Sequence, residues 1–166
     1  MLSLFLDLRF FCVKFITLTD EQVSVFLHDN ILSCKKTSDG EGCFFINIQK
    51  NNSTTNRGMT EKIWLTFQRT QHFRDALFME SIIKYLDCGR VKLRSTTPTV
   101  DFLVNRYTDI HTKVLSFLEK YPLQSVKQKD FHAFCEAANL IGNKEHFSVQ
   151  GIEKIKMMKR GMNKKR

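Results

Sequence analysis

Two carboxylates stand in a short acidic segment, Asp39-Gly40-Glu41-Gly42, directly before a run that alternates apolar and polar residues. Carboxylate oxygens are ligands that hard cations such as Mg²⁺ prefer, and the neighbouring glycines let backbone carbonyl oxygens approach the same ion. The segment therefore has the donors for a divalent cation at the beginning of a strand. An exposed surface turn is the competing interpretation, and the residue pattern alone leaves both open.

Four segments alternate apolar with polar residues, which predicts strands that pair as two hairpins and present one polar face. Amide, basic and acidic side chains on such a face can bind base edges and phosphates. An ordinary solvated sheet face is the competing interpretation. The strands are predicted at 43–50, 63–71, 90–94 and 99–106, and their polar residues include Asn47, Gln49, Gln68, Arg90, Lys92, Arg94 and Asp101.

Apolar residues at helical spacing predict helices before, between and after the two strand pairs. The order helix, two strands, helix, two strands and further helices indicates an α+β domain with an antiparallel sheet backed by helices. A capping-box pattern at Thr19 and Gln22 opens the first helix, which ends near Lys36. The later helices are predicted at 72–86, with an apolar stripe of Phe73, Leu77, Ile82, Ile83 and Leu86, and at 108–120, 130–141 and 148–162.

The charge balance favours a polyanionic partner, because the 166 residues include 26 Lys and Arg against 17 Asp and Glu, a net charge of +9. Charge alone does not separate nucleic acid from an anionic membrane surface. Five scattered cysteines without a C-x-x-C pair favour a reducing compartment and indicate neither a disulfide framework nor a zinc site. Residues 1–18 are too interrupted by charge for a membrane span, and both a targeting segment and a core strand remain open for them.

Several segments, taken in order, resemble the LAGLIDADG homing endonucleases, in particular those encoded by organellar introns. The resemblance implies an αββαββα module whose saddle-shaped sheet lies in the DNA major groove. It covers residues 38–166, which leaves residues 1–37 as an unassigned leader and helix. The segments are DGEGCFFINIQK, WLTFQRTQHFRD, CGRVKLR, EKYPLQSVKQKDF and, in the tail, ANLIGNKEHFSVQGIEKI and KRGMN.

By this resemblance the chain is expected to be a site-specific double-stranded DNA endonuclease, a hydrolase that promotes the mobility of a group I intron. Glu41 takes the position of the metal-binding acid and would hold Mg²⁺ with the backbone of Gly40, while Asp39 supports the end of the motif helix. Gln71 matches a glutamine near the active site, and Lys127 matches the basic residue beside the scissile phosphate. The sheet positions that contact bases or backbone in the family fall on Asn47, Gln49, Gln68, Lys92, Arg94 and Asp101.

Cleavage of both strands takes two such modules, so the resemblance implies a homodimer or a second repeat, with no membrane partner. It also implies a mitochondrial location, with a chloroplast as the alternative. A maturase that binds intron RNA, or an inactive nucleic-acid-binding relic of the same fold, is the competing function. The chain departs from the family at Lys35 and Lys36, where small apolar residues usually let two motif helices pack tightly, and at Ser125, where glycine is usual.

Overall fold

The computed structural model of the chain describes residues 44–50, 61–120 and 127–163, which all fall within one unit, Asp39–Arg166. The predicted first helix, the acidic segment and the predicted boundary between residues 37 and 38 lie outside the described residues. So do the family departures noted above.

A four-stranded antiparallel sheet organises the described residues, with strand order β1-β2-β4-β3. Both predicted hairpins are confirmed, since β1 pairs with β2 and β3 pairs with β4. The two hairpins join through β2 and β4, so these strands lie at the centre of the sheet. The strands are β1 (Phe44–Lys50), β2 (Glu61–His72), β3 (Arg90–Leu93) and β4 (Thr99–Val104).

The strand register separates an apolar face from a polar face, as the alternation predicts. On one side, Phe67 lies opposite both Phe44 and Val104. On the other side, Asp101 lies opposite Thr70 in one neighbour and Lys92 in the other. Because side chains alternate between faces along every strand, these pairings place all the apolar rows together.

Helices follow each hairpin and confirm the predicted α+β class. A single 3₁₀ turn, Phe73–Asp75, precedes the first helix, and a second one, Glu145–Phe147, precedes the last. None of the described helices has both the length and the apolar character that crossing a bilayer requires. The helices are α1 (Ala76–Leu86), α2 (Tyr107–Asp109), a π-helical segment (Ile110–Leu115), α3 (Ser116–Lys120), α4 (Lys127–Gly142) and α5 (Val149–Gly161).

Local sequence explains where α5 begins, whereas α4 begins earlier than predicted. Ser148 has extended backbone and its hydroxyl accepts a hydrogen bond from the Gly151 amide at 3.0 Å, so it caps α5. Helix α4 begins at Lys127, three residues before the predicted start at residue 130. Lys127 therefore lies in the first turn of a helix.

The core is a cluster of phenylalanines between the apolar sheet face and the helices. Phe44 contacts Phe67 across the hairpin and Phe134 of α4, with ring centroids 5.6 and 5.1 Å apart. Phe67 in turn contacts Phe102 of β4 edge-on at 6.2 Å. Such pairs add specific geometry to the large apolar area that each ring buries. Phe44, the first residue of β1, is therefore packed on several sides at the centre of the core.

The predicted apolar stripe of α1 is wrong at two positions. Phe73 is 51 % exposed and Leu77 is 67 % exposed. Phe73 lies in the 3₁₀ turn Phe73–Asp75, where α-helical spacing does not apply. Leu77 lies within α1, but at roughly 100° per residue it is about 140° around the helix from Ile82, so the two cannot share one face. The stripe that the helix buries consists of Met79, Ile82 and Leu86.

Replacing Gly89 by Ala is expected to destabilise the fold by about 2–4 kcal/mol, because both backbone and packing oppose a side chain there. Gly89 has φ +89°, and a Cβ would lie 2.5 Å from Cε2 of the buried Phe102 ring. Gly161→Ala is the matched control, since a Cβ there meets nothing within 4 Å. Urea unfolding of both variants measures the difference, and equal effects would contradict the packing argument.

Candidate nucleic-acid interface

The outward side of the sheet, called here the polar sheet face, brings together all six sheet residues predicted to contact nucleic acid. Strand alternation, register and side-chain hydrogen bonds place them on the same side. The predicted residues are Asn47 and Gln49 of β1, Gln68 of β2, Lys92 of β3, Arg94 just after it, and Asp101 of β4. Their neighbours on the face include Lys62, Trp64, Thr66, Thr70 and Arg90.

Asp101 is the centre of a hydrogen-bond network on this face. Arg94 donates to its carboxylate from Nε at 2.7 Å and from Nη2 at 3.0 Å, which is the two-bond fork that guanidinium and carboxylate favour. Thr70 donates through Oγ1 at 2.5 Å, and Gln68 donates through Nε2 at 3.2 Å. Asp101 thus orients three side chains, two from β2 and one from the residue that follows β3.

The electrostatics of the network keep Asp101 ionised. Burial raises the pKa of this carboxyl, but the hydrogen bonds from Arg94, Thr70 and Gln68 and the charge of Arg94 outweigh it, so the pKa lies below its usual value. Asp101 is only 6 % exposed, whereas the Arg94 side chain is 40 % exposed. The face therefore presents the oriented guanidinium and keeps the carboxylate beneath it.

The β1–β2 half of the face combines amides, an aromatic ring and a cation. Asn47 donates from Nδ2 to Oγ1 of Thr66 on the neighbouring strand at 2.9 Å. The ammonium of Lys62 lies 5.9 Å from the centroid of the Trp64 ring, within cation–π range. Gln49 and Lys92 are exposed. These groups supply donors and acceptors of the kinds that bind base edges and phosphates.

Gln71, predicted near an active site, lies on the other side of the sheet. It pairs with Val100, whose side chain is in the core, so alternation separates it from Gln68 and Thr70. With its amide oxygen turned toward Arg69, Gln71 accepts hydrogen bonds from Nη2 at 2.7 Å and from Nε at 3.3 Å. Arg69 itself is buried. Gln71 is thus on the face that the helices cover.

Lys127, predicted beside a phosphate, approaches from that same helix side, because α4 packs against β1. Its ammonium lies 3.5 Å from Oδ2 of Asp130, one turn further along α4, and donates to Oδ1 of Asn163 at 3.3 Å. A cation in the first helical turn is disfavoured by the helix dipole, and the Asp130 carboxylate compensates for this. The Lys127 side chain is 17 % exposed, so its position is defined by its surroundings.

The predicted cation ligands Glu41 and Gly40 lie outside the described residues. Within the described ranges, no group of three or more His, Cys, Asp or Glu side chains is arranged to hold a metal ion.

Sequence reasoning missed the roles of Thr70, Asp130 and Asn163. Thr70 lies on a polar position of β2, but its bond to Asp101 depends on the β2–β4 register, which alternation alone does not define. Asn163 carries one local signal, since asparagine just beyond a helix end often adopts positive φ. Its φ is +55°.

Comparison with known proteins finds one family. The model of the LAGLIDADG endonuclease family matches residues 38–138. Two proteins of Neurospora crassa, probable intron-encoded endonucleases 2 and 3, are each 32% identical to the chain, over 125 and 126 residues. The aligned regions cover 75% of this chain in both cases, but 25% and 23% of those proteins. The chain thus spans about a quarter of the curated relatives' length.

Solved structures of LAGLIDADG endonucleases are also similar to the chain. The meganuclease I-SmaMI, in a crystal structure bound to uncleaveable DNA, is 30% identical with a TM-score of 0.72, and the match covers 89% of this chain and 46% of that one. The I-LtrWI LAGLIDADG homing endonuclease, bound to target DNA, is 29% identical with a TM-score of 0.72, over 90% and 46% of the two chains. The chain corresponds to less than half of either structure.

Replacing Asp101 by Asn is expected to lower stability by about 1–3 kcal/mol at neutral pH, because charged hydrogen bonds are lost. Since the folded pKa is depressed, the contribution of this carboxylate is present above its unfolded pKa of about 3.9 and disappears as the pH falls through the folded value. The two proteins should therefore converge in stability at low pH. Thermal unfolding between pH 7 and about 2 tests this, because the range must extend below both pKa values.

Asp87→Asn is the control for the Asp101 measurement. Asp87 also pairs with a cation, Lys113, at 2.8 Å, but it is exposed to solvent, so its removal should change stability little. A constant stability difference between wild type and Asp101→Asn over the whole pH range would contradict the network.

Proposed function

Because this chain belongs to the LAGLIDADG endonuclease family, we propose that it is one module of an intron-encoded endonuclease that cuts double-stranded DNA at a specific site. The observation that carries the proposal is the polar sheet face, where a basic and amide-rich surface is organised around Asp101. The other side of the sheet, which the helices cover, holds Lys127 and Gln71. A recognition surface and the side chains of Lys127 and Gln71, called here the candidate catalytic edge, therefore belong to the same small domain.

The polar sheet face suits the major groove of DNA. Asp101 engages Nε and one hydrogen of Nη2 of Arg94, so the remaining N–H groups on Nη1 and Nη2 match the O6 and N7 acceptors of guanine. The amides of Asn47, Gln49 and Gln68 match the donor and acceptor pair of adenine. Lys92 adds a cation for a guanine or a phosphate. Asp101 contributes by orienting Arg94, since a carboxylate turned toward the backbone of DNA would be repelled.

The donor set of the acidic segment fits Mg²⁺. Glu41 offers a carboxylate and Gly40 a carbonyl oxygen, and Mg²⁺ commonly combines one or two carboxylates with water and substrate phosphate oxygens. A Mg²⁺ ion held there would supply Lewis-acid activation of the scissile phosphate and of a water. Lys127 stabilises the negative charge that develops on the phosphate. Gln71, whose amide oxygen accepts from Arg69, is the third catalytic residue that we propose and would orient a water through its amide nitrogen.

Two modules are required to cut both strands, and the chain covers less than half of the solved relatives. We assign the second module to another copy of this chain or to a second repeat. A mitochondrial location fits relatives such as the uncharacterized 50.9 kDa protein in ND4 intron 1 of Podospora anserina, which is 31% identical over 111 residues. Mitochondrial DNA carrying the gene without its intron is the proposed substrate.

Purified chain incubated with Mg²⁺ and a plasmid that carries the intronless gene is expected to cut at one site. Glu41→Gln should reduce the cleavage rate on the order of 10²–10³-fold, because it removes the anionic ligand, and should leave DNA binding in Ca²⁺ intact. Gel analysis of timed samples measures both.

Glu80→Gln is the matched control for that assay, because Glu80 is exposed on α1, outside the interface and the catalytic edge. It should cut like the wild type. Binding without cleavage by the wild type, together with no effect of Glu41→Gln, would sink the endonuclease proposal and leave a non-catalytic nucleic-acid-binding protein.

Lys92→Ala is expected to weaken DNA binding and to lower the slope of log K against log salt by about 0.9, because each neutralised phosphate releases counterions. Fluorescence anisotropy from 50 to 300 mM KCl gives the slope. Lys154→Ala on α5 is the matched control, as this exposed lysine lies on a helix and not on the polar sheet face. Equal slopes for both variants would count against the proposed interface.

A further inference from the structure

The end of the described chain returns to the first residue of the sheet through a single asparagine. Asn163, two residues beyond α5, donates from Nδ2 to the carbonyl oxygen of Phe44 at 2.9 Å. Its Oδ1 accepts from Nζ of Lys127 at 3.3 Å, and its backbone amide donates to Oδ1 of Asp130 at 3.3 Å. This arrangement of Asn163, Lys127, Asp130 and Phe44 is called the Asn163 clasp.

Asparagine meets the chemical requirements of the Asn163 clasp well. The position has φ +55°, a left-handed conformation that asparagine tolerates better than most residues with a side chain. The side chain must donate to a carbonyl and accept from an ammonium at once, which an amide can do. Aspartate would offer only acceptors, and glycine would keep the backbone conformation without either bond.

The surroundings hold the Asn163 clasp in place. Phe44 and Asp130 are buried, and Met162, next to Asn163, is buried as well. The Met162 amide donates to the carbonyl oxygens of Met158 and Lys159, which anchors the segment to the end of α5. Asp130 faces both the Lys127 ammonium and the Asn163 amide. The Lys127 side chain is thereby held beside Asp130 and Asn163.

We propose that Asn163 is a positioning residue for DNA cleavage, which holds the Lys127 ammonium in fixed relation to the start of β1. Glu41 precedes Phe44 by three residues in the sequence, and three peptide units span at most about 11 Å. The Asn163 clasp thus connects the candidate phosphate-stabilising cation to the strand that follows the candidate metal ligand. The inference rests on the proposed endonuclease function and adds to it a residue from the opposite end of the domain.

The first test separates cleavage from binding. Asn163→Gly keeps positive φ but removes the side chain, and misplacement of a catalytic group by about 1 Å can cost on the order of 10²-fold in rate. We expect the single-turnover cleavage rate with Mg²⁺ at saturating DNA to fall about 10–100-fold, while the Kd for DNA stays within about twofold. Asn163→Asp, which keeps only the acceptor, should fall between wild type and Asn163→Gly.

Asn139→Ala is the matched control, because Asn139 is an exposed asparagine on α4. It should leave both the rate and the Kd unchanged. An unchanged rate in Asn163→Gly would overturn the proposal, and so would a parallel loss of rate and affinity, since that pattern indicates general loss of structure.

A second measurement does not depend on cleavage. Urea unfolding of Asn163→Gly, Lys127→Met and the double variant forms a double-mutant cycle. If the two side chains interact, the double variant should change the unfolding equilibrium constant by a smaller factor than the product of the single changes. Independent effects would overturn the Asn163 clasp even in a protein that cuts DNA, whereas a wild type that cuts no DNA would overturn the proposed function instead.

Discussion

The antiparallel pairing of β2 with β4 is the constraint on which the rest of the structure depends. It joins the two hairpins and sets Phe67 beside Val104 on one side of the sheet, with Thr70 beside Asp101 on the other. A slip of one residue would send the apolar row to solvent and the charged row into the core. Core and interface are therefore two consequences of a single register.

The same register places Asp101 where donors from neighbouring segments can stabilise its buried carboxylate. A carboxylate removed from water is costly unless charged donors surround it, and Arg94, Thr70 and Gln68 provide them. The same bonds restrict the rotamers of side chains that face the proposed DNA. Stability and the proposed DNA recognition thus involve the same atoms. Because these side chains are already ordered, binding would cost less conformational entropy.

On the helix side of the sheet, Phe44 likewise takes part in both the core and the candidate catalytic edge. Its ring is central to the aromatic core, and its carbonyl oxygen accepts the bond from Asn163. Lys127 and Asp130 belong to α4, which packs against β1, the strand that Phe44 begins. Because the core is close-packed, the candidate catalytic edge inherits the rigidity of the aromatic cluster.

Sequence alone determined the features that repeat over a few residues. Alternation predicted all four strands and which side chains share the polar face, and the order of elements predicted the α+β class. The predicted stripe failed at Phe73, which lies in a 3₁₀ turn, and at Leu77, which lies about 140° around the helix from the buried Ile82. The resemblance of ordered segments located Lys127 and Gln71 but did not show which face of the sheet each one serves.

Only the tertiary structure decided which distant residues meet. Asp101 joins Thr70 across 31 residues, Lys127 joins Asn163 across 36, and Asn163 joins Phe44 across 119. Periodicity indicates which side of a single strand or helix is buried. It does not predict the register between strands or how a helix packs on a sheet. Contacts of that kind are set by the burial of the whole core, which no local pattern encodes.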